Sequence, residues 1–197
     1  MEILLRVLFS VRPGLNCPAP GLSITGVVSG NVPKVIVTQW ARRLQRHADI
    51  DAGHIGLWGH SMGGGVSTRV LTLSQDVKAA VLYGAMSGDE QKNYERIYRV
   101  FSNGARGLEE VNTPVEAFAN ISPIFFLDRI TATISIHHGQ ADEVVPPEWS
   151  LDLCDRLTAL GKSVECFTYP GQPHTFVGEG DTLFMKQVIE FFDRELR

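Results

Sequence analysis

Three short segments of this 197-residue chain carry residue types that one reaction needs together. The first is Gly59-His60-Ser61-Met62-Gly63, a G-x-S-x-G preceded by the apolar run His54 to Trp58 and followed by a stretch that reads as a helix. A serine on such a strand-to-helix turn is a nucleophile elbow, whose strained bend presents Oγ above a sheet. Glycines at 59 and 63 leave room for strand and helix to pass closely. A serine hydroxyl is a weak nucleophile at neutral pH and needs a base, which in turn needs an orienting acid. An acid is offered by Asp142 or Glu143, in His138-Gly139-Gln140-Ala141-Asp142-Glu143-Val144-Val145-Pro146. A histidine follows in Pro170-Gly171-Gln172-Pro173-His174-Thr175-Phe176. The order serine, acid, histidine is the one expected on a sheet of this kind. The chemistry implied is acyl transfer to water through a covalent acyl-serine.

The elements that must position these residues can be read from about Lys34 onward. Val35 to Ala48 has helical periodicity. His54 to Trp58 and Val77 to Gly84 read as buried strands, Thr133 to His138 as a third and Ser163 to Tyr169 as a fourth. Pro146-Pro147-Glu148 opens a helix that Gly161 closes. Asp181 to Leu196 is the last helix, with Leu183, Phe184, Val188, Ile189, Phe191 and Phe192 expected to face the sheet. Strands alternating with helices imply an α/β domain with a mostly parallel, doubly wound sheet. Ligands of such sheets sit at the carboxyl ends of strands, and all three chemical segments leave strands at that rim.

Residues 1–33 are atypical. Ile3 to Val11 and Leu22 to Val28 are candidate strands around a Pro- and Gly-rich loop. The catalytic domain is expected over 34–197, with a small lid inserted at about 87–130, where long insertions are often functional.

These motifs, Gly59 to Gly64, His138 to Pro146 and Pro173 to Phe176, resemble the α/β-hydrolase fold. Within it they are similar to the catalytic domains of prolyl-oligopeptidase-type serine peptidases and to dienelactone-hydrolase-like esterases. The resemblance implies Ser61 as nucleophile, Asp142 as acid, His174 as base and the backbone N–H of Met62 as one oxyanion donor. Its spacing favours Asp142 over the adjacent Glu143; Asp128, before the third strand, should lie at the opposite edge. The chain departs from the pattern upstream. About four strands normally precede the elbow, and the loop after the third supplies a second oxyanion donor. At most two strands fit before Gly59, so the N-terminal strands are expected to be missing or rebuilt. The elbow strand is then expected to become an exposed edge through which the chain self-associates.

Other residues have structural readings beside chemical ones. Tyr83, Trp149 and Phe176 are candidate lining for an acyl pocket, and Trp58 a core residue. His60 is read as shaping the elbow, His47 as a surface residue and His54 as the start of a strand. His137 and His138 are strand neighbours that point to opposite faces, so no metal site is expected, and the chemistry needs no cofactor.

Composition sets outer bounds. Apolar residues make up 44% and charged residues 20%, with a net charge of -4, values of an ordinary globular domain without the basic stripe that nucleic acid requires. Cys17, Cys154 and Cys166 lack framework spacing and are expected to be reduced thiols of a cytoplasmic protein. Glu2 in place of a basic n-region and Arg6 within the first apolar run argue against a signal peptide. No stretch approaches the roughly 18 apolar residues of a membrane span. The expected substrate is a small carboxylic ester or a short peptide. The rival expectation is a hydrolase relative that lacks part of its oxyanion hole and serves as a binding or assembly module.

Overall fold

The computed structural model describes residues 4–11, 23–27 and 50–197, with residues 4–11 and 23–27 and positions 50 and 52 described by backbone only. The expected helix over Val35 to Ala48, His47 and Cys17 lie outside the described residues. Six strands form one sheet in the order β2-β1-β3-β4-β5-β6. They are β1 (Leu4–Val11), β2 (Ser23–Val27), β3 (Ile50–His60), β4 (Ala79–Tyr83), β5 (Thr133–Gly139) and β6 (Val164–Tyr169). From β3 to β6 all pairings are parallel, with Gly59 beside Leu82, Tyr83 beside His137 and Gly139 beside Tyr169. β1 runs antiparallel to both β2 and β3.

That antiparallel pairing corrects one expectation. The elbow strand β3 is not an edge, because β1 pairs along it from Leu4 opposite His60 to Val11 opposite Ile50. Its backbone N–H and C=O groups therefore find partners within this chain. Among the described strands the edges are β2 and β6.

Side-chain alternation divides the core into two layers. Leu57, Ala80, Leu82, Ile134 and Ile136 point to one face, where α1 (Met62–Leu73) and α5 (Pro147–Ala159) cover them. Trp58, Val81, Tyr83 and Tyr169 point to the other, under α6 (Gly178–Glu195). Phe184, Phe191 and Phe192 of α6 are at most 1% exposed, and each such burial stabilises by roughly 1.5–3 kcal/mol. Leu183 and Ile189, expected on the same face, are 49% and 55% exposed. At 100° per residue, positions 184, 188, 191 and 192 share one stripe, and 183 and 189 fall to its two sides.

Between β4 and β5 lie α2 (Glu90–Arg96), continued by one π-helical turn (Ile97–Phe101), then α3 (Leu108–Val111), α4 (Val115–Ala119) and two 3-10 turns. Asp89 caps α2 by accepting from the Gln91 N–H at 3.0 Å. An Arg69–Glu90 ion pair and an Arg69 bond to the Ile121 carbonyl tie the segment to α1. No helix among the described residues is long and apolar enough to cross a membrane.

A further correction concerns the cysteines. Cys154 of α5 and Cys166 of β6 form a disulfide, with Cα atoms 6.4 Å apart. They are therefore not reduced thiols, because the helix lies directly over its neighbouring strand and brings the two side chains within bonding distance. The cysteine argument for a cytoplasmic protein therefore falls, since such bonds persist in oxidising surroundings.

Candidate active site

β3 delivers Ser61 into a sharp bend. Its φ of 56° and ψ of -119° fall where a non-glycine residue is strained, at a cost of order 1–3 kcal/mol that surrounding contacts must offset. Those contacts are visible. The Ser61 N–H donates to the Tyr83 carbonyl at 2.9 Å, and the Ser61 carbonyl accepts from Gly64, Gly65 and Met86. A Cβ on Gly59 would stand 2.3 Å from the Gly63 carbonyl oxygen, so only glycine lets α1 leave this close to β3. α1 begins at Met62, and the first N–H groups of a helix have no carbonyl partner within it.

Asp142 stands in the loop after β5. Its Oδ1 accepts from the N–H groups of Val144 and Val145, both at 2.8 Å. Its Oδ2 lies 2.8 Å from His174 Nδ1 and 3.0 Å from His138 Nε2. Burial pushes this carboxyl up. The bonds from His138, His174 and Val145 outweigh burial and hold it well below the usual carboxylate range. Of the two candidate acids, Asp142 faces the histidine. Glu143 is exposed, and its carbonyl accepts from the Arg96 guanidinium, which also bonds the Val144 carbonyl. Asp128 lies in the turn before β5, at the other end of that strand.

His174 is carried by the loop after β6. That loop comes against the acid loop because position 139 has no side chain: a Cβ there would lie 2.2 Å from the Gln172 carbonyl oxygen. The ring stands over Gly84, where an added Cβ would meet His174 Nδ1 at 3.3 Å and Asp142 Oδ2 at 3.4 Å. Gly84 follows Tyr83, the residue whose carbonyl holds the Ser61 N–H. The backbone of residue 61 and the side chains of 142 and 174 thus stand beside the Tyr83-Gly84 turn, at the carboxyl ends of β3, β4, β5 and β6. Ser61 is 4% exposed, and its Oγ has no hydrogen-bond partner among the described residues.

His60 steadies this arrangement. Its ring stacks on Tyr83 with centroids 4.2 Å apart and lies 4.6 Å from the His174 ring. Its Nε2 is 3.0 Å from the His174 carbonyl. Burial lowers its pKa to about 4, so the neutral ring donates that bond.

The residues expected to line a pocket divide. Tyr83 and Phe176 are 5% and 4% exposed and pack with Tyr169 and Phe184 in an aromatic cluster beneath the rim. They are packing residues, because their position in the α6-side layer directs them into the core. The Tyr83 hydroxyl also accepts from the Phe176 N–H, anchoring the histidine loop. Trp149 lines a surface groove of about 330 Å3 with Lys92, Glu95, Arg96, Arg99 and Val100. Trp58 is core, as expected, and His54 faces Asp51 near the start of β3.

The paired histidines separate onto opposite faces. His137 joins the α6 side between Ser135 and Tyr169, where burial lowers its pKa to about 3. His138 joins the α5 side against Ser150. Among the described residues no cluster of three or more His, Cys, Asp or Glu side chains could hold a metal. Sequence reasoning missed the contacts of His138 and Arg96 with the acid loop; the alternation of adjacent strand residues signalled the first, and nothing local signalled the second.

A strained serine at a strand-helix turn, with the other two loops on the same rim of a mainly parallel sheet, defines an α/β-hydrolase fold. Residues 36–197 match the model of the prolyl oligopeptidase family, and the chain belongs to that family. Solved structures agree on the fold. A Mycobacterium tuberculosis puromycin-hydrolyzing peptidase superposes with a TM-score of 0.69 at 22% identity, over 81% of this chain and 24% of its own. Pyrococcus horikoshii acylaminoacyl peptidase gives 0.68 at 24% identity, over 82% of this chain and 27% of its own. A Klebsiella pneumoniae protein named as a dienelactone hydrolase gives 0.60 at 17% identity, over 83% of this chain and 62% of its own. The chain spans about a quarter of the length of the two peptidases.

Proposed function

We propose that this chain carries the catalytic centre of a serine hydrolase acting on carboxylic esters or short peptides. The observation that carries the proposal is the 2.8 Å pairing of His174 Nδ1 with Asp142 Oδ2 on the same rim as the strained Ser61. With Nδ1–H given to Asp142, Nε2 is the free base of the ring. It takes the Ser61 Oγ proton as Oγ attacks the substrate carbonyl carbon. The carbonyl electron pair moves onto oxygen, toward the Met62 N–H at the head of α1. Collapse breaks the bond to the leaving alcohol or amine, which receives the proton from His174 Nε2. Water then gives a proton to the same nitrogen as it attacks the acyl carbon, the bond from that carbon to Oγ breaks, and Oγ takes the proton back from Nε2 as the acid leaves. Asp142 remains ionised throughout, in keeping with its depressed carboxyl.

A peptide or amide substrate is supported by the family and by the names of the two peptidases, and an ester by the dienelactone hydrolase name. Aminoacyl-nitroanilides tested beside p-nitrophenyl esters of several acyl lengths would separate these substrates. The segment at 87–130 is proposed as a lid, since α2 supplies the Arg96 brace to the acid loop.

A second reading has its own observation: the shielded Ser61 Oγ makes no bond to His174 among the described contacts. On that reading the chain is a non-catalytic relative. Catalytic hydrogen bonds often tighten only with substrate present, which favours the enzyme. A fluorophosphonate probe decides. Stoichiometric labelling at Ser61, lost in His174→Ala, is the expected result. A folded wild-type chain that takes no label would overturn the enzyme reading.

A further inference from the structure

His138 is 1% exposed and Ser150 5% exposed, and the proposed mechanism gives neither a role. His138 Nε2 lies 3.0 Å from Asp142 Oδ2 and 3.1 Å from the Val145 carbonyl oxygen. Both neighbours only accept hydrogen bonds, since Asp142 is ionised, so Nε2 carries the proton. Nδ1 lies 2.6 Å from the Ser150 Oγ, and the neutral ring accepts there from the hydroxyl. One tautomer thus satisfies three contacts. Asp142 in turn accepts from the Val144 and Val145 N–H groups on Oδ1 and from His174 on Oδ2, and the Nε2–H that His138 shares with the Val145 carbonyl is a further donor 3.0 Å from Oδ2. Its plane is therefore fixed from three directions: the loop backbone, His174, and His138 backed by α5.

Resting on the triad reading above, we propose that His138 is a positioning residue for the reaction, held in one tautomer by Ser150 and acting through Asp142 on His174. A ring that only filled space would need no donor at Nε2. A carboxylate left with three donors could turn toward Val144 and Val145 and weaken its hold on the imidazole. The loss belongs to the chemical steps, not to substrate binding, because the contacts of His138 run to Asp142, Val145 and Ser150, so it reaches the reacting atoms only through Asp142.

The experiment compares His138→Phe, His138→Gln, Ser150→Ala, Ser61→Ala and His174→Ala on one chromogenic ester, with folding followed by calorimetry. His138→Phe is expected to lower kcat by about 10- to 100-fold, the range for groups that orient a reactive ligand, with KM within about twofold. His138→Gln, which restores an N–H near the Nε2 position, is expected to recover most of that loss. A folded His138→Phe with wild-type kcat, while Ser61→Ala and His174→Ala are inactive, would overturn this proposal and leave the triad standing. Equal losses in His138→Phe and His138→Gln would also overturn it, marking a packing role. Activity retained in Ser61→Ala and His174→Ala would instead remove the triad reading, and this proposal with it. Should His138→Phe fail to fold, Ser150→Ala decides. A kcat lower by roughly 2- to 10-fold, the worth of one hydrogen bond, at unchanged KM supports the proposal, and an unchanged kcat overturns it.

Discussion

His174 Nδ1 and Asp142 Oδ2 stand 2.8 Å apart although 32 residues separate them in the chain. Two adjacent parallel strands make this possible. β5 and β6 end side by side, with Gly139 opposite Tyr169, so the loops that follow start from neighbouring points on one rim.

Replacing the acid by its amide tests what that contact contributes. Asp142→Asn keeps the size of the group but presents an N–H or a weaker acceptor to His174, which then adopts the wrong tautomer. The expected loss in kcat is about 10,000-fold with little change in KM. Steady-state kinetics on a p-nitrophenyl ester measures it, and a loss below tenfold would exclude the orienting role.

Gly139→Ala tests how the two loops meet. The new Cβ would stand 2.2 Å from the Gln172 carbonyl oxygen and 2.7 Å from that of Pro173. Backbone atoms cannot step aside as a flexible side chain can, so the loop bearing His174 must move. A destabilisation of roughly 1–3 kcal/mol is expected, with fluorophosphonate labelling slowed beyond what the unfolded fraction accounts for. Urea denaturation and labelling rates on the same preparation give both quantities.

Acid should loosen the fold in a defined window. His60 and His137 have folded-state pKa values lowered to about 4 and about 3 by burial, against roughly 6.5 in an unfolded chain. Between these values the unfolded state binds more protons, so stability is full above about pH 6.5 and falls as pH drops toward 4. Asp142, with its depressed carboxyl, adds its own loss only below the ordinary carboxylate range. Urea midpoints at pH 7.5, 5.5 and 4.5 should fall in that order, and His137→Phe should flatten the decline. Equal midpoints at all three values would contradict the burial of both rings as neutral groups.

Reduction of the Cys154–Cys166 bond should lower stability without removing the site. The bond closes a loop of sequence separation 12, for which constraint of the unfolded chain is worth about 3 kcal/mol. Thermal scans with and without reductant, and of Cys154→Ser, should show lowered midpoints of similar size. Labelling of Ser61 in the folded reduced protein is expected to persist, because Cys166 sits within β6 opposite Ile136, before the strand end from which the histidine loop leaves.

The four parallel strands after residue 50 and the helices that follow the first, third and fourth of them could be read from the chain, because buried strands here are short apolar runs bounded by Pro and Gly; the short helices between β4 and β5 after residue 101 could not, since they are too brief to show a period. The elbow was legible for a local reason: Gly59, Ser61 and Gly63 encode a bend that few other residues allow. The candidate acid and base were legible as loop residues after strands. Choosing Asp142 over Glu143 needed either family spacing or coordinates, since adjacent carboxylates look alike in one dimension.

Local sequence by itself thus determined the strained serine, the two loops and the α/β class, because each depends on short-range backbone preferences and periodicity. Tertiary structure alone decided the rest. It set β1 against β3, joined Cys154 to Cys166, turned Tyr83 and Phe176 into the core, and put His138 beside Asp142. These outcomes depend on which faces and rims meet when distant segments pack, and no local pattern carries that information.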